Sequence, residues 1–223
     1  GLIGEALVAG LLAAGHEPVR LVRSRRPDDL PTASWNPAAG TMDDDALEGI
    51  DAVIHLAGEG IAERRWSDEQ KARIMDSRVA GTALLADRIA AAADPPSVFI
   101  SGSAIGFYGD RGDETLTETS EPGDGFLAEV VVAWEEATAP VETPPTRVVH
   151  GRTGIVLSGD GGALAPQLPF FKAGLGGRIG SGRQWWSWIS IEDMVGALVW
   201  LLTNDVHGAV NLTAPNPVTN GDF

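Results

Sequence analysis

Apolar residues recur along this chain with two alternating periods. A helical period comes first, in residues 2–14, where Ile3, Leu7 and Leu11 would share one face of a helix. A longer helical pattern begins after Ser67 and ends before Pro95, since proline cannot continue a helix. Ser67 and Gln70 have the spacing of a capping box, which favours a helix N-terminus here. Further helices are predicted at 45–50, 126–138 and 191–203.

Short apolar runs of the kind found in buried strands separate these helices. They predict strands at 18–22, 33–35, 51–56, 97–100, 147–158 and 208–213. This alternation predicts an α/β fold, a doubly wound parallel sheet of the Rossmann-like type with helices on both faces. Ligands of such sheets bind beyond the carboxyl ends of the strands. The residues at two of these ends are therefore candidate cofactor contacts, namely Leu56, Ala57, Gly58 and Ser101.

The composition excludes several classes of protein. The 223 residues are 43% hydrophobic, enough to bury one substantial core, and we expect a single domain over 1–223. A formal net charge of −15 argues against a nucleic-acid partner, whose phosphates would be repelled. Most carboxylates, including those of the loop 110–124, are expected to form a solvated surface. The absence of cysteine excludes disulfides and thiolate metal sites and is compatible with a cytoplasmic protein.

Two further kinds of partner, a membrane and a metal ion, are not expected. No apolar run approaches the roughly 20 residues that a membrane-spanning helix needs, so no membrane partner is expected. His16, His150 and His207 show no metal-ligand spacing, and no metal site is predicted. The sequence does not indicate an oligomeric state.

The first residues have the pattern of half a phosphate-binding turn. In dinucleotide-binding proteins a strand leads into a glycine-rich turn, where glycine lets backbone N–H groups approach a pyrophosphate at a helix N-terminus. Gly1 and Gly4 stand at the start of the first predicted helix. Because the strand and first glycine of that motif do not precede them, we expect a fragment that is less stable than a longer relative. An ordinary turn and helix cap is the alternative interpretation.

One basic cluster interrupts the acidic background, after the predicted strand 18–22. Arg23, Ser24, Arg25 and Arg26 stand there. At this position dinucleotide-binding proteins carry an acid for the ribose 2′-hydroxyl of NAD, or an arginine for the 2′-phosphate of NADP. The cluster contains no acid, and planar guanidinium groups suit phosphate. It therefore predicts NADP as the cofactor, held by Arg23, Ser24 and Arg25, with solvated cations at a strand end as the alternative.

Several motifs together resemble those of one family. The chain carries Gly-Leu-Ile-Gly at 1–4, Leu-Ala-Gly at 56–58, Arg-Val-Ala-Gly-Thr at 78–82 and Ser-Gly-Ser-Ala-Ile-Gly-Phe-Tyr-Gly at 101–109. This series resembles the extended short-chain dehydrogenase/reductase superfamily. Later segments are similar to its atypical branch, the epimerase family protein group, related to the sugar-nucleotide epimerases: 134–135, 152–157, 161–164, 176–177, 184–189, 192–193 and 214–217. Members of this group normally have a strand before the position of Gly1 and a helical segment after that of Phe223.

The resemblance implies an NADP-dependent oxidoreductase or epimerase-like enzyme that acts on a small molecule, such as a nucleotide-linked sugar. It implies cofactor contacts at Gly1, Gly4, Arg23, Leu56, Ala57, Arg78 and Val156. Arg78 stands where the superfamily carries the asparagine of an Asn-Val-x-Gly-Thr pattern, and Ser103 matches its catalytic serine.

The chain departs from the superfamily at the catalytic pair. The superfamily uses Tyr-x-x-x-Lys, in which the lysine and the cofactor lower the pKa of a tyrosine that exchanges a proton with the substrate. Here Phe126 and Val130 stand at those two positions. The single tyrosine is Tyr108, and the two lysines are Lys71 and Lys172. The pair is therefore absent from this sequence.

Three residues are candidate substitutes for the missing tyrosine. Tyr108, five residues beyond Ser103, could donate a proton in the site, or it could be a packed loop aromatic. Glu129 is a candidate acid or base, or alternatively an ordinary carboxylate on the surface of a helix. His55 lies in an apolar strand and is interpreted as a core histidine. Ser103 and Tyr108 are the predicted catalytic residues.

The aromatic block Trp185-Trp186-Ser187-Trp188 follows a glycine-rich loop. It is interpreted as a hydrophobic cap over the sheet or as a substrate wall on which a planar or sugar ring could stack. We expect the segment 159–190 to form a cap on the substrate side.

Two classes of function remain open. In the first, the chain is an NADP-dependent enzyme assisted by Ser103 and Tyr108. In the second, it binds NADP without catalysis and uses occupancy for regulation or sensing, as the loss of the Tyr/Lys pair suggests.

Overall fold

The structure is a computed structural model that describes residues 1–24, 30–62, 64–141 and 145–223. The α-helices in these ranges are α1 (Leu2–Ala13), α2 (Asp68–Ala91), α3 (Phe126–Glu136), α4 (Leu168–Lys172) and α5 (Ile191–Thr203). Short 3-10 helices cover Pro37–Ala39, Ile105–Tyr108 and Ala139–Val141. Within the described ranges, no helix has the length and apolar character needed to cross a bilayer.

The described strands form one central parallel sheet and three smaller sheets. Their bounds are β1 (Arg20–Val22), β2 (Thr32–Asn36), β3 (Thr41–Met42), β4 (Ala52–His55), β5 (Val98–Ala104), β6 (Arg147–Thr153), β7 (Ile155–Ser158), β8 (Gly161–Gly162), β9 (Trp185–Trp186), β10 (Trp188–Ser190), β11 (Gly208–Leu212) and β12 (Val218–Thr219). The central sheet has the order β11-β6-β5-β4, and all its pairs are parallel. The others are β1-β2-β3, β10-β7-β8 and β12-β9. The predicted α/β fold with a parallel sheet is confirmed.

Alternating residues of the central strands supply a core on each face of the sheet. On β5, Val98 and Ile100 pack with residues of α1 and α5, such as Leu7 and Met194. Phe99, between them, packs into the opposite cluster with α2 and with residues of β2 and β3. Because successive side chains of a strand point to opposite faces, a continuous apolar run such as Val98–Ile100 requires cover on both sides.

An arginine at the start of β6 ties this strand to the end of α5. Arg147 donates from Nη1 to the Val206 carbonyl at 2.5 Å. Its Nη2 donates to the carbonyls of Leu201 and Leu202 at 2.8 and 3.4 Å. Carbonyls at a helix C-terminus lack intrahelical partners, so this guanidinium satisfies groups that would otherwise be unpaired.

Two predicted elements differ from the structure. Residues 45–50 form consecutive turns instead of a helix, with N–H groups bonded to carbonyls three residues back and Gly49 at φ +68°. The predicted strand 147–158 is broken at Gly154 into β6 and β7. A Cβ at Gly154 would lie 2.5 Å from the carbonyl oxygen of Ser187, so only glycine fits this crossing.

Candidate functional site

The carboxyl end of β4 leads into a loop that α2 holds in place. The Glu59 N–H donates to Ser77 Oγ at 2.9 Å, and Arg78 Nη1 donates to the Glu59 carbonyl at 3.0 Å. Gly58 lies against the Arg78 side chain, since a Cβ there would be 3.2 Å from Cζ. The loop that carries the predicted contacts Ala57 and Gly58 is thus fixed by side chains of α2.

Arg78 itself is enclosed between α2 and α3. Its Nη1 also donates to the Ile74 carbonyl at 3.1 Å, and its Cζ lies 5.2 Å from the centre of the Trp134 ring. Burial lowers the pKa of Arg78, and the charge of Glu59 opposes this effect in part. The structure therefore places the cation of Arg78 beneath the loop that follows β4.

The predicted phosphate-binding residues have open surroundings. Nothing lies within 4 Å of a Cβ built on Gly1 or Gly4, at the start of the 12-residue helix α1. Arg23 and Ser24 follow β1 and are both exposed. Arg25 and Arg26 lie outside the described residues, so the predicted contact at Arg25 stays a prediction.

Ser103 lies at the end of β5 in a buried, charged network. It is 3% exposed, and its Oγ donates to Glu135 Oε1 at 2.5 Å. Arg152, on β6, donates from Nε to the same oxygen at 2.9 Å and from Nη2 to Glu135 Oε2 at 2.8 Å. Such a two-pronged pair fixes both side chains, and each oxygen of the carboxylate accepts at least one hydrogen bond. The single proton of the Ser103 hydroxyl is therefore committed to Glu135.

The same arginine holds Tyr108. Arg152 Nη1 donates to the Tyr108 hydroxyl at 3.0 Å, and this hydroxyl donates to Asn211 Oδ1 at 2.6 Å. The guanidinium also lies over the Phe107 ring, 3.5 Å from its centre. Tyr108 is 3% exposed. The structure thus joins the two predicted catalytic hydroxyls through Arg152 and Glu135, with the tyrosine proton committed to Asn211.

Both charges of this network are stabilised where they lie. Burial alone would raise the pKa of Glu135, but hydrogen bonds from Arg152 and Ser103, together with the Arg152 charge, hold this pKa below its ordinary value. Burial opposes the charge on Arg152, and the contacts with Glu135 and Tyr108 outweigh it, so the pKa of Arg152 is raised. Glu135 is therefore an ionised acceptor at neutral pH and a weak base.

The loop expected to be a solvated acidic surface is partly tied to the site. The Asn211 N–H donates to Glu118 Oε1 at 2.8 Å, and Arg152 Nη1 also donates to the Glu118 carbonyl at 3.3 Å. Trp185 Nε1 donates to Asp113 Oδ1 at 2.8 Å. The loop therefore connects the buried network to the tryptophan block.

The tryptophans differ in their surroundings. Trp185 is 46% exposed, whereas Trp186 stacks against Phe223 with ring centres 4.8 Å apart. Trp188 Nε1 donates to the Asn216 carbonyl at 3.1 Å. Val156, a predicted cofactor contact, lies on β7 opposite Ile189 of β10 and packs against the core beneath the central sheet. Among these aromatic rings, Trp185 presents the most surface to a ligand.

Phe126 stands at the position of the superfamily tyrosine, and a lysine from another helix lies beside its ring. Lys71 Nζ, from α2, is 5.4 Å from the centre of the Phe126 ring. Trp66 packs edge-on against the same ring at 5.5 Å. Glu129, the next carboxylate along α3, is exposed and shows no contact that would place it in the buried network.

Several buried polar groups beside α2 lack hydrogen-bond partners within the described ranges. They are the side-chain groups of Trp35, His55, Gln70, Thr82 and Trp134. Ser67 caps α2 by accepting from the Gln70 N–H at 3.2 Å, but the Gln70 amide does not return a bond, so only half of the capping box forms. Burial lowers the pKa of His55 to about 4, so this imidazole is neutral at pH 7.

Sequence reasoning did not assign roles to Glu135, Arg152 and Asn211. A signal for two of them exists, because Glu135 follows the apolar run Val130–Trp134 and Arg152 lies in a strand that is otherwise mostly apolar. A charge in such an element is rarely buried unless it is paired. Across the parts of the chain that the structure describes, no group of three or more His, Asp or Glu side chains is arranged to hold a metal ion.

This chain is similar to known proteins over its whole length. Residues 1–132 match the model of the NAD dependent epimerase/dehydratase family. An epimerase family protein of Mycobacterium bovis is 46% identical over 224 residues, which span all of this chain and 73% of that protein.

Two solved structures of relatives superpose on the whole chain. Human epimerase family protein SDR39U1 (isoform 2), determined with NADPH, has a TM-score of 0.90 and 36% identity, and the chain covers 74% of it. The nucleoside-diphosphate sugar epimerase of Corynebacterium glutamicum has a TM-score of 0.87 and 43% identity, and the chain covers 46% of that longer protein. The predicted resemblance is confirmed, and the chain belongs to the NAD dependent epimerase/dehydratase family.

Proposed function

We propose that this protein is an NADP-dependent oxidoreductase or epimerase-like enzyme that acts on a small molecule, such as a nucleotide-linked sugar. The observation that carries the proposal is the exposed Arg23 and Ser24 at the end of β1, the strand that follows α1 and the open glycines at its start. The NADPH bound to the human relative supports the choice of cofactor. The relative from Corynebacterium, described as a nucleoside-diphosphate sugar epimerase, supports the substrate class.

The residues present fit a dinucleotide. Space around Gly1 and Gly4 would let a pyrophosphate approach the α1 N-terminus, and Arg23 would meet the 2′-phosphate. Leu56 to Gly58, Arg78, Ser101 and Val156 would line the path toward the nicotinamide. When bound, NADP would supply hydride transfer at that ring.

The hydrogen bond that Ser103 donates within the protein determines which substrate group its hydroxyl can bind. Its proton is donated to the ionised Glu135, so its oxygen offers lone pairs alone. Ser103 would therefore accept a hydrogen bond from a substrate hydroxyl, while Arg152 and Glu135 keep it in that orientation. The segment 159–190, anchored to the acidic loop through Trp185, would cover the substrate.

Calorimetric titration with NADPH and NADH tests the cofactor. We expect NADPH to bind more tightly, and Arg23→Gln to weaken NADPH by about tenfold while leaving NADH unchanged, because one charge-assisted contact is lost. Arg73→Gln is the control, since Arg73 pairs with Glu69 on α2 at 3.2 Å. Equal affinity for both coenzymes, or no binding of either, would refute the proposal.

A non-catalytic NADP-binding protein is the second candidate, favoured by one specific observation. Ser103 and Tyr108 are each 3% exposed with their protons donated inside the protein, and Phe126 has no proton to exchange. Incubation of the NADP-loaded protein with UDP-glucose separates the candidates. A product separated by liquid chromatography, which also resolves epimers of equal mass, and lost in Ser103→Ala favours the enzyme. NADPH binding with no product from this or other nucleotide sugars favours the second candidate.

A further inference from the structure

The loop that follows β4 lies at the carboxyl edge of the central sheet, where the coenzyme is proposed to bind. The parallel pairing of β4 with β5 ends at His55 and Ser101. Beyond this pair the main chain of the loop needs hydrogen-bond partners outside the ladder, because buried backbone polar groups are rarely left unpaired. Side chains of α2 supply these partners at Glu59.

A closed ring of four hydrogen bonds holds the main chain of Glu59. Its N–H donates to Ser77 Oγ at 2.9 Å, and the Ser77 hydroxyl donates its single proton to the Ile74 carbonyl at 3.1 Å. Arg78 Nη1 donates to the same Ile74 carbonyl at 3.1 Å and to the Glu59 carbonyl at 3.0 Å. Both protons of Nη1 and the hydroxyl proton of Ser77 are thereby used, which fixes the orientation of each side chain. We call Ser77 and Arg78 the α2 clamp.

The α2 clamp holds one side of the loop against the helix and leaves the other side open. Ala57 and Gly58 are exposed, whereas Glu59 is half-buried. A Cβ on Gly58 would lie 3.2 Å from Arg78 Cζ and 3.4 Å from Nη1, so the guanidinium group packs against the inner side of the loop. The Trp134 ring of α3 has its centre 5.2 Å from the same Cζ. A ligand on the open side would therefore meet Ala57 and Gly58, with Arg78 behind them.

We propose that Ser77 and Arg78 are positioning residues for the coenzyme, because they fix the main chain of Glu59 and with it the shape of the loop that would bind NADP. The proposal rests on the proposed function, since it concerns the same coenzyme at the same loop. It gives a role to Ser77, which the sequence patterns left without one. It also assigns Arg78 an indirect role in place of the direct contact that the family resemblance implies.

Calorimetric titration of the whole chain with NADPH separates positioning from direct contact. Ser77→Ala removes one half of the clamp and should weaken binding by about fivefold, through loss of a single neutral hydrogen bond. Arg78→Met should weaken binding by about tenfold, through loss of a charge-assisted bond. The double variant should bind about as weakly as Arg78→Met, because two changes that release the same loop are not additive. Ser77→Thr keeps the hydroxyl and should bind like the parent protein.

A matched control removes a buried hydrogen bond at the opposite edge of the sheet. Thr146 Oγ1 donates to the Pro96 carbonyl at 2.7 Å, just before the amino ends of β6 and β5. Thr146→Ala should lower stability in urea unfolding and leave the NADPH affinity unchanged. Hydrogen exchange without coenzyme gives a second measure, since the main-chain amides of 56–60 should exchange faster in Ser77→Ala and not in Thr146→Ala.

Three outcomes would overturn the inference. NADPH binding by Ser77→Ala at the parent affinity, whether or not Arg78→Met binds more weakly, would show that the clamp does not position the coenzyme. Equal weakening by Ser77→Ala and Thr146→Ala would show that Ser77 supports the fold alone. Both of these leave the proposed function intact, because the parent protein still binds NADPH. A parent protein that binds no NADPH refutes the proposed function and this inference with it.

Discussion

Protonation of His55 should make this protein acid-sensitive well above the pH at which its carboxylates titrate. The imidazole is 4% exposed at the end of β4, with its ring edge-on to Trp35 at 5.5 Å between centres. A Cβ on Gly81 would lie 3.3 Å from His55 Nε2, so α2 leaves no room beside this nitrogen. Burial lowers the pKa of His55 from 6.5 to about 4.

The size and sign of the effect follow from the two pKa values. Above pH 6.5 the histidine is neutral in both states and contributes no pH dependence. As the pH falls below 6.5, the unfolded chain binds the proton and the native protein resists it, so stability is lost until the pH reaches about 4. The loss is about 2 kcal/mol at pH 5 and about 3 kcal/mol at pH 4, at 1.36 kcal/mol per pKa unit.

Urea unfolding between pH 7.5 and pH 5 measures this loss, in a range above the carboxylate titrations. His55→Leu, of similar volume, should remove most of the pH dependence, whereas the exposed His207→Gln should keep it. NMR of the His55 ring protons gives the native pKa independently. Parallel stability profiles for the parent and His55→Leu, or a ring that titrates near 6.5, would refute the reasoning.

Three further predictions concern other parts of the fold. Arg152→Met should cost about 3–5 kcal/mol in urea unfolding, because Glu135 is left buried and unpaired, and adding Glu135→Leu should recover most of that loss; no recovery would contradict the pairing. Gln70→Leu should stabilise the protein by about 1–2 kcal/mol in thermal unfolding, because its buried amide has no partner among the described residues, and a lower Tm would contradict this. Gly123→Ala should lower the Tm by several degrees, since its Cβ would lie within 2.0 Å of the Tyr108 carbonyl oxygen, whereas Gly159→Ala has free space and should not; equal Tm values would show that the loop yields.

Local signals predicted the elements of the fold well, because each depends on residues close in sequence. Such signals correctly predicted the Ser67 cap of α2 and the bounds of α5. They also predicted that the strand Val98–Ile100 is buried, as it is on both faces of the sheet. Residues 45–50 were wrongly predicted as a helix, and the left-handed conformation of Gly49 interrupts any helical turn there. The break at Gly154 depends on the Ser187 carbonyl, which no local pattern reveals.

The candidate site was predictable in location and not in chemistry. The carboxyl ends of β4 and β5 could be placed from the strand pattern alone, and the family resemblance indicated Ser103. The network around Ser103 could not be found in this way. Glu135, on α3, is 32 residues from Ser103, and Arg152, on β6, is 17 residues from the Glu135 that it binds. Pairing across elements is set by tertiary packing, which periodicity does not encode.

Strand β6 carries an arginine at each end, and the two do different work. Arg147 fastens the amino end to the last carbonyls of α5, and Arg152 anchors Glu135 at the carboxyl end. A slip of β6 by one residue would turn both guanidinium groups to the wrong side of the sheet. Misaligned pairing would thus forfeit both anchors at once, so correct assembly of this strand and correct placement of the serine are selected together as the chain folds.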